Sequence, residues 1–207
     1  MAGEGFQLIR KALSPGEQRR LVKAVEAVAK AAPFYTPTMP RTGKPFSVRM
    51  TNAGPFGWVS DKVGGYRYQP THPITGEAWP AIPKMLLQLW SKHAEYPEPP
   101  EACLINHYEA GARMGSHQDR DEQDLAAPVL SVSLGDDAVF HVGGRKRDDP
   151  KERMTLQSGD VVVLGKAARL AYHGIDRVFA GSSDLLAEGG RINLTLRRVT
   201  PSPGNKA

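Results

Sequence analysis

Two stretches of the chain repeat their apolar residues at helical spacing, and the rest does not. Ser14-Pro15-Gly16-Glu17 offers an N-cap serine, a proline at the first helical position and a glutamate at the third. Leu21, Val22, Val25, Val28 and Ala29 follow three and four apart, which predicts a helix that stops before Pro33. Met85, Leu86, Leu89 and Trp90 form a second stripe, predicting a helix from Pro83 to about Ala94 that Tyr96-Pro97 breaks. Both stripes read as core contacts. Between them, Phe34 to Pro80 is rich in proline, glycine and aromatics and predicts short strands and loops. From Ala102 onward the period falls to two. Strands are expected at Ala102 to Tyr108, Val129 to Leu134, Ala138 to Val142, Asp160 to Leu164, Leu170 to His173 and Arg191 to Val199, with Gly181 to Gly190 as a flexible loop and Thr200 to Ala207 as a frayed tail. A β-sandwich or jelly roll with the helices packed on it as one unit follows.

Composition narrows this picture little. The 207 residues are 40% hydrophobic, enough for one well-buried domain. The 21 glycines and 17 prolines exceed the usual ~12% for the pair and suit many short elements joined by turns. A net charge of +5 attracts polyanions such as nucleic acid or anionic lipid, a weak sign by itself. The single Cys103 forms no internal disulfide, Met1 to Leu13 lacks the apolar run of a signal peptide, and no run approaches the ~18 apolar residues of a membrane helix. The expectation is a soluble cytoplasmic monomer with no membrane contact.

Three motifs in the β-half carry chemistry. In His117-Gln118-Asp119, extended backbone turns imidazole and carboxylate to one side, able to grip a metal together; exposed, solvated side chains are the plain alternative. His173 could supply a second imidazole, or be a satisfied core histidine. In Arg191 to Arg197 the alternation is strict: Arg191, Asn193, Thr195 and Arg197 face one way, and Ile192, Leu194 and Leu196 face an apolar layer. That polar face is either an exposed strand face or a fixed donor array for a dicarboxylate, to which Asn106 and Tyr108 could add. Cys103 falls on the strand face opposite Asn106 and reads as buried packing.

In this order the motifs resemble the AlkB-type Fe(II)- and 2-oxoglutarate-dependent nucleic-acid dioxygenases. The likeness runs through Met50-Thr51-Asn52-x-Gly54-x-x-Gly57-Trp58, Trp79-Pro80-Ala81, Ala102 to Asn106, His117-Gln118-Asp119-x-Asp121-Glu122, Val132 to Gly135 and Tyr172-His173-Gly174-Ile175. It implies a mainly β (α+β) fold: a double-stranded β-helix, or jelly-roll, core at 99–199, with amino-terminal helices and a nucleotide-recognition lid at 1–98 and a tail at 200–207. It implies His117, Asp119 and His173 as iron ligands, and Asn106, Tyr108, Arg191, Asn193 and Arg197 as 2-oxoglutarate contacts, with Arg197 on the distal carboxylate. Trp58 and His117 would sandwich a flipped base, Met50 and Tyr66 would line its pocket, and Asp121 would reach its exocyclic amine.

Arg147, in the basic turn Arg145-Lys146-Arg147, together with Arg153 and the loop Arg41 to Lys44, would meet backbone phosphates or be merely solvated. The implied activity is oxidative demethylation of 1-methyladenine and 3-methylcytosine in DNA, single strands preferred, with RNA as a further substrate. It consumes O2 and 2-oxoglutarate. The alternatives are a hydroxylase of a protein or small molecule, and a non-catalytic nucleic-acid-binding or zinc-bearing β-domain. This chain departs from the family pattern at Pro37 to Phe46 and at Val63-Gly64-Gly65, which puts substrate preference in doubt.

Overall fold

In a computed structural model, residues 3–202 are described. Strands β1 (Phe6–Ile9), β2 (Arg49–Ala53), β3 (Gly57–Asp61), β4 (Gly65–Gln69), β5 (Ala102–Tyr108) and β6 (Met114–His117) are followed by β7 (Val129–Gly135), β8 (Ala138–Val142), β9 (Glu152–Leu156), β10 (Val161–Leu164), β11 (His173–Val178) and β12 (Arg191–Arg197). Two helices, α1 (Pro15–Ala31) and α2 (Lys84–His93), and a 3-10 turn at Lys166–Leu170 complete the chain. The strands form a six-stranded sheet in the order β1-β10-β7-β12-β5-β2, a four-stranded sheet β6-β11-β8-β9 and the hairpin β3-β4. Every pairing is antiparallel, and the two larger sheets make the jelly roll.

Both helices form for the reasons their sequences give. The Ser14 hydroxyl accepts from the Glu17 amide while Glu17 accepts from the Ser14 amide at 2.8 Å, closing a capping box at the start of α1. Leu21, Val25 and Val28 of α1 and Leu86, Leu89 and Trp90 of α2 are buried on the outer face of the large sheet, against Cys103, Ile105, Leu194 and Leu196. The alternate residues of β5 and β12 therefore face inward toward the small sheet. There Leu104, Val129, Phe140, Val142, Leu156, Val162 and Ile175 form the floor of the roll. Among the described residues, no helix is long and apolar enough to cross a membrane.

Four local expectations are corrected. The strand expected at Leu170 to His173 is instead the end of the 3-10 turn, and β11 starts at His173; the turn buries Ala168 and Arg169, a pattern that a period of two does not describe. Gly181 to Gly190 is tied down, because the amides of Gly181, Ser183 and Gly190 all donate to the buried Asp136 carboxylate, at 3.0 to 3.2 Å. The tail is anchored as far as it is described: the Thr200 amide and hydroxyl donate to Glu101 at 2.7 and 2.8 Å, and Ser202 meets the Tyr96 hydroxyl at 2.8 Å. Residues 203–207 of the expected tail lie outside the described residues. The strands β1, β6 and β9 were not expected, since each is short and lacks a clean alternation.

Candidate metal and cofactor site

His117 ends β6 and His173 begins β11, and the two are directly paired across the strands with ring centroids 4.5 Å apart. Asp119 enters from the loop after β6. Its Oδ1 is 3.7 Å from His117 Nε2 and its Oδ2 is 3.6 Å from His173 Nε2. One ligand atom from each of the three lies within 4.8 Å of the others. Each Nδ1–H donates to a backbone carbonyl at 2.9 Å, His117 to Gly115 and His173 to Ala171. A carbonyl only accepts, so in the neutral form of each ring the lone pair lies on Nε2, which turns to the shared centre.

The electrostatics match. Burial, and then His117, push His173 down to about 4, so its imidazole is neutral at pH 7. For Asp119 burial opposes ionisation, but Arg197, His173 and His117 outweigh it and hold the carboxyl well below the usual range. Two imidazoles and one carboxylate on one side of a metal, with the other side open, are the donor set of non-haem Fe(II) oxygenases.

The inward face of β12 builds the adjoining wall. Arg191 is 1% exposed, donates to the Ser133 hydroxyl at 2.9 Å and lies 5.1 Å over the Tyr108 ring. Its Nε and Nη1 have no protein partner, and neither has Asn106 Oδ1. Asn193 donates to the Ser131 hydroxyl at 2.6 Å and accepts from Thr195 at 3.0 Å. Arg197 sits at the other end of the strand. Its Nη2 pairs with Asp119 Oδ1 at 2.7 Å and its Nη1 donates to the Tyr68 hydroxyl at 3.1 Å. Leaving a buried donor unpaired costs ~1–3 kcal/mol, so an anionic group would be favoured at the unpartnered edge of Arg191.

A cavity of about 330 Å³ joins these groups to the hairpin β3-β4. Trp58 on β3 stacks on Tyr66 of β4 with centroids 5.4 Å apart and planes 21° from parallel, and its Nε1 donates to Asp121 Oδ2 at 2.8 Å. Met50 is buried in the wall. At the mouth, Arg147 donates to the Ser116 carbonyl at 3.0 Å and covers the Tyr172 ring at 5.0 Å.

The family profile described as "2OG-Fe(II) oxygenase superfamily" matches residues 5–197. The chain belongs to that superfamily. Within it, the chain is 51% identical over 212 residues to an alpha-ketoglutarate-dependent dioxygenase AlkB homolog of Caulobacter vibrioides, covering 96% of each. It is 45% identical over 203 residues to the alpha-ketoglutarate-dependent dioxygenase AlkB of Escherichia coli, covering 96% of this chain and 92% of that one. The solved structure of OsALKBH1 superposes with a TM-score of 0.82 at 28% identity, over 94% of this chain and 96% of that chain. The protein is therefore an AlkB-type 2OG-Fe(II) oxygenase, an enzyme that uses Fe(II), 2-oxoglutarate and O2.

Arg147 and the residues to which the resemblance gives a metal, 2-oxoglutarate or base contact all line this cavity. Three details of their surroundings go beyond the sequence. Arg197 pairs with Asp119 Oδ1, and both arginines keep buried donors without a protein partner, Nε on Arg197 and Nε and Nη1 on Arg191. Trp58 is stacked on Tyr66, so the cavity wall presents an aromatic pair and not a lone indole. Arg153 pairs with Asp176 at 2.9 Å with its side chain still largely exposed, and Arg41, Lys44, Arg145 and Lys146 are exposed as well.

Sequence reasoning gave no role to a buried network behind the site of this oxygenase. Tyr68 donates to Glu122 Oε1, and Arg169 pairs with Glu122 Oε2 at 3.0 Å. A signal was present in Arg169, an arginine within an apolar run, but its partners lie more than 40 residues away.

Proposed function

We propose that this oxygenase oxidatively demethylates N-alkylated bases in DNA, with 1-methyladenine and 3-methylcytosine as substrates, single strands preferred and RNA accepted, acting as a monomer. The observation that carries this reading is the continuity of one cavity from the His117, Asp119 and His173 donors to the Trp58–Tyr66 stack. When bound, Fe(II) with 2-oxoglutarate and O2 supplies oxidation of the N-methyl carbon, which leaves as formaldehyde, with succinate and CO2 as co-products.

The side chains hold and exclude. His117 and His173 offer Nε2, and Asp119 offers the oxygen that Arg197 leaves free. Arg191 takes the carboxylate of 2-oxoglutarate remote from the metal through its unpartnered Nε and Nη1, with Asn106, Tyr108 and Asn193 lining that end. Arg197 steadies Asp119 and the near end. Trp58, Tyr66 and His117 bound the flat space for a base, and stacking there contributes ~1–3 kcal/mol.

Bases methylated on the Watson–Crick edge are cations that cannot pair. They cost less to extrude than intact bases and are attracted by the Asp121 carboxylate at the pocket wall. Arg147, with Arg145, Lys146, Arg41 and Lys44, would meet phosphates without reading sequence.

The test is anaerobic loading with Fe(II), then O2, 2-oxoglutarate and oligonucleotides carrying 1-methyladenine or 3-methylcytosine, reading formaldehyde and restored base. Repair with stoichiometric succinate is expected. Turnover of 2-oxoglutarate without repair of either base, in DNA or RNA, overturns the substrate reading in favour of a hydroxylase of another molecule.

A further inference from the structure

The segment that carries Asp119, residues 118–128 between β6 and β7, has no helix or strand. A metal carboxylate on irregular backbone needs another source of rigidity. Arg169 reaches this segment at three points: its Nη1 donates to the Asp119 carbonyl at 2.5 Å, its Nε to the Ala127 carbonyl at 2.7 Å, and its Nη2 to Glu122 Oε2 at 3.0 Å. The Arg169 side chain is 3% exposed. It belongs to the 3-10 turn Lys166–Leu170, which runs through Ala171 and Tyr172 directly into His173. One side chain thus ties the segment bearing the carboxylate to the segment bearing the second imidazole.

Three donors pointing along three directions in one plane are a property of guanidinium and not of an ammonium group. Glu122 fixes the far side of that plane, and its other oxygen is held by Tyr68 and lies 3.5 Å from Arg197. Two carboxylates and two guanidiniums therefore share a buried, charge-balanced cluster, of which only Asp119 faces the metal centre.

We propose that Arg169 is a positioning residue of the metal centre: by fixing the Asp119 segment against the His173 segment, it sets metal affinity without touching the metal. The inference rests on the reading that His117, Asp119 and His173 hold a divalent cation. Arg169→Lys keeps the charge and removes the fork. Loss of such an outer contact costs ~10–100-fold in metal affinity. Arg198 is the control, since it is also buried and paired with Glu101 at 3.6 Å but has no contact with the metal ligands.

The experiment is anaerobic Co(II) titration of metal-free wild type, Arg169→Lys and Arg198→Lys, followed by the visible absorption of the bound ion. Hydrogen exchange of residues 119–127 is measured in parallel. Arg169→Lys is expected to bind Co(II) at least tenfold more weakly and to exchange faster at 119–127, while Arg198→Lys loses thermal stability with its Co(II) affinity kept. A folded Arg169→Lys that binds Co(II) like wild type, or loses no more affinity than Arg198→Lys, overturns the proposal.

A second measurement needs no variant: in wild type, Co(II) should raise protection at 119–127 and at 166–171 together. Protection confined to 119–127 also overturns the proposal. Failure of wild type itself to bind Co(II) would instead remove the metal reading beneath it.

Discussion

The indole nitrogen of Trp58 donates to Asp121 Oδ2 at 2.8 Å, so the aromatic wall of the cavity and its nearest unligated carboxylate are joined by a single hydrogen bond. On the proposed function, a base entering beside Trp58 would meet that carboxylate at once.

Asp121→Asn keeps an oxygen for Trp58 and removes the charge. Because 3-methylcytosine is a cation and 3-methylthymine is nearly the same shape without the charge, the preference between them isolates the electrostatic part of recognition. A hydrogen bond to a charged group contributes ~1.5–3 kcal/mol, so the ratio of kcat/KM values for the two bases should fall by about ten- to a hundredfold in the variant. Competition assays on oligonucleotides carrying both lesions measure it, and an unchanged ratio would remove Asp121 from base selection.

Arg191 and Arg197 should separate in their effects although they share a strand face. Arg191→Gln removes the buried guanidinium with the free edge, and 2-oxoglutarate affinity should drop by roughly a hundredfold while metal affinity stays, given ~3 kcal/mol for a charged bidentate contact. Arg197→Gln strips the partner from Asp119 and should weaken metal binding as well. Titration of each ligand into the anaerobic protein with Mn(II) distinguishes the two; equal profiles would refute the division.

His173 makes the metal-free protein sensitive to acid. Its folded-state value of about 4 lies below the ordinary 6.5, so between these values the unfolded chain binds a proton that the folded chain refuses. Stability is therefore fully present above about pH 6.5 and is lost as pH falls toward 4, by up to about 3 kcal/mol from this group. Denaturant unfolding at pH 7 and pH 5 should show the loss in wild type and a smaller loss in His173→Gln. Parallel pH slopes in the two proteins would contradict it.

Gly174 follows His173 at a register shift in the β6–β11 pairing. A Cβ there would come within 2.5 Å of the Met114 carbonyl and 2.8 Å of His141 Cε1. Gly174→Ala should therefore cost ~1–3 kcal/mol through forced backbone shifts and weaken metal binding by moving β11 off β6. Thermal melts together with Co(II) titration report both. A stable variant with intact metal affinity would show that the strand pair yields freely.

What the chain discloses before folding depends on the range of the interaction. The helices were legible because Ser14, Glu17 and the Leu21–Val28 stripe act within a few residues. The polar inward face of β12 was legible because period-two alternation separates Arg191 and Asn193 from Ile192 and Leu194. Cys103 is buried opposite Asn106 as the alternation requires, and burial pushes its thiol up to about 12.

The start of β11 was misread because a 3-10 turn that buries Ala168 and Arg169 leaves no period-two mark. The pairing of Arg197 with Asp119 was hidden because it turns on which end of the strand Asp119 approaches. The Tyr68–Glu122–Arg169 network was hidden because its members are brought together only by the closed roll.

The central place of β12 in the large sheet, between β7 and β5, limits how this site could drift. Inserting or deleting one residue within Arg191–Arg197 would exchange its two faces, sending guanidinium groups into the layer beneath α1 and α2 and leucines into the cavity. Changes of cofactor preference along this strand are therefore open to substitution, one side chain at a time, and closed to any shift in its length.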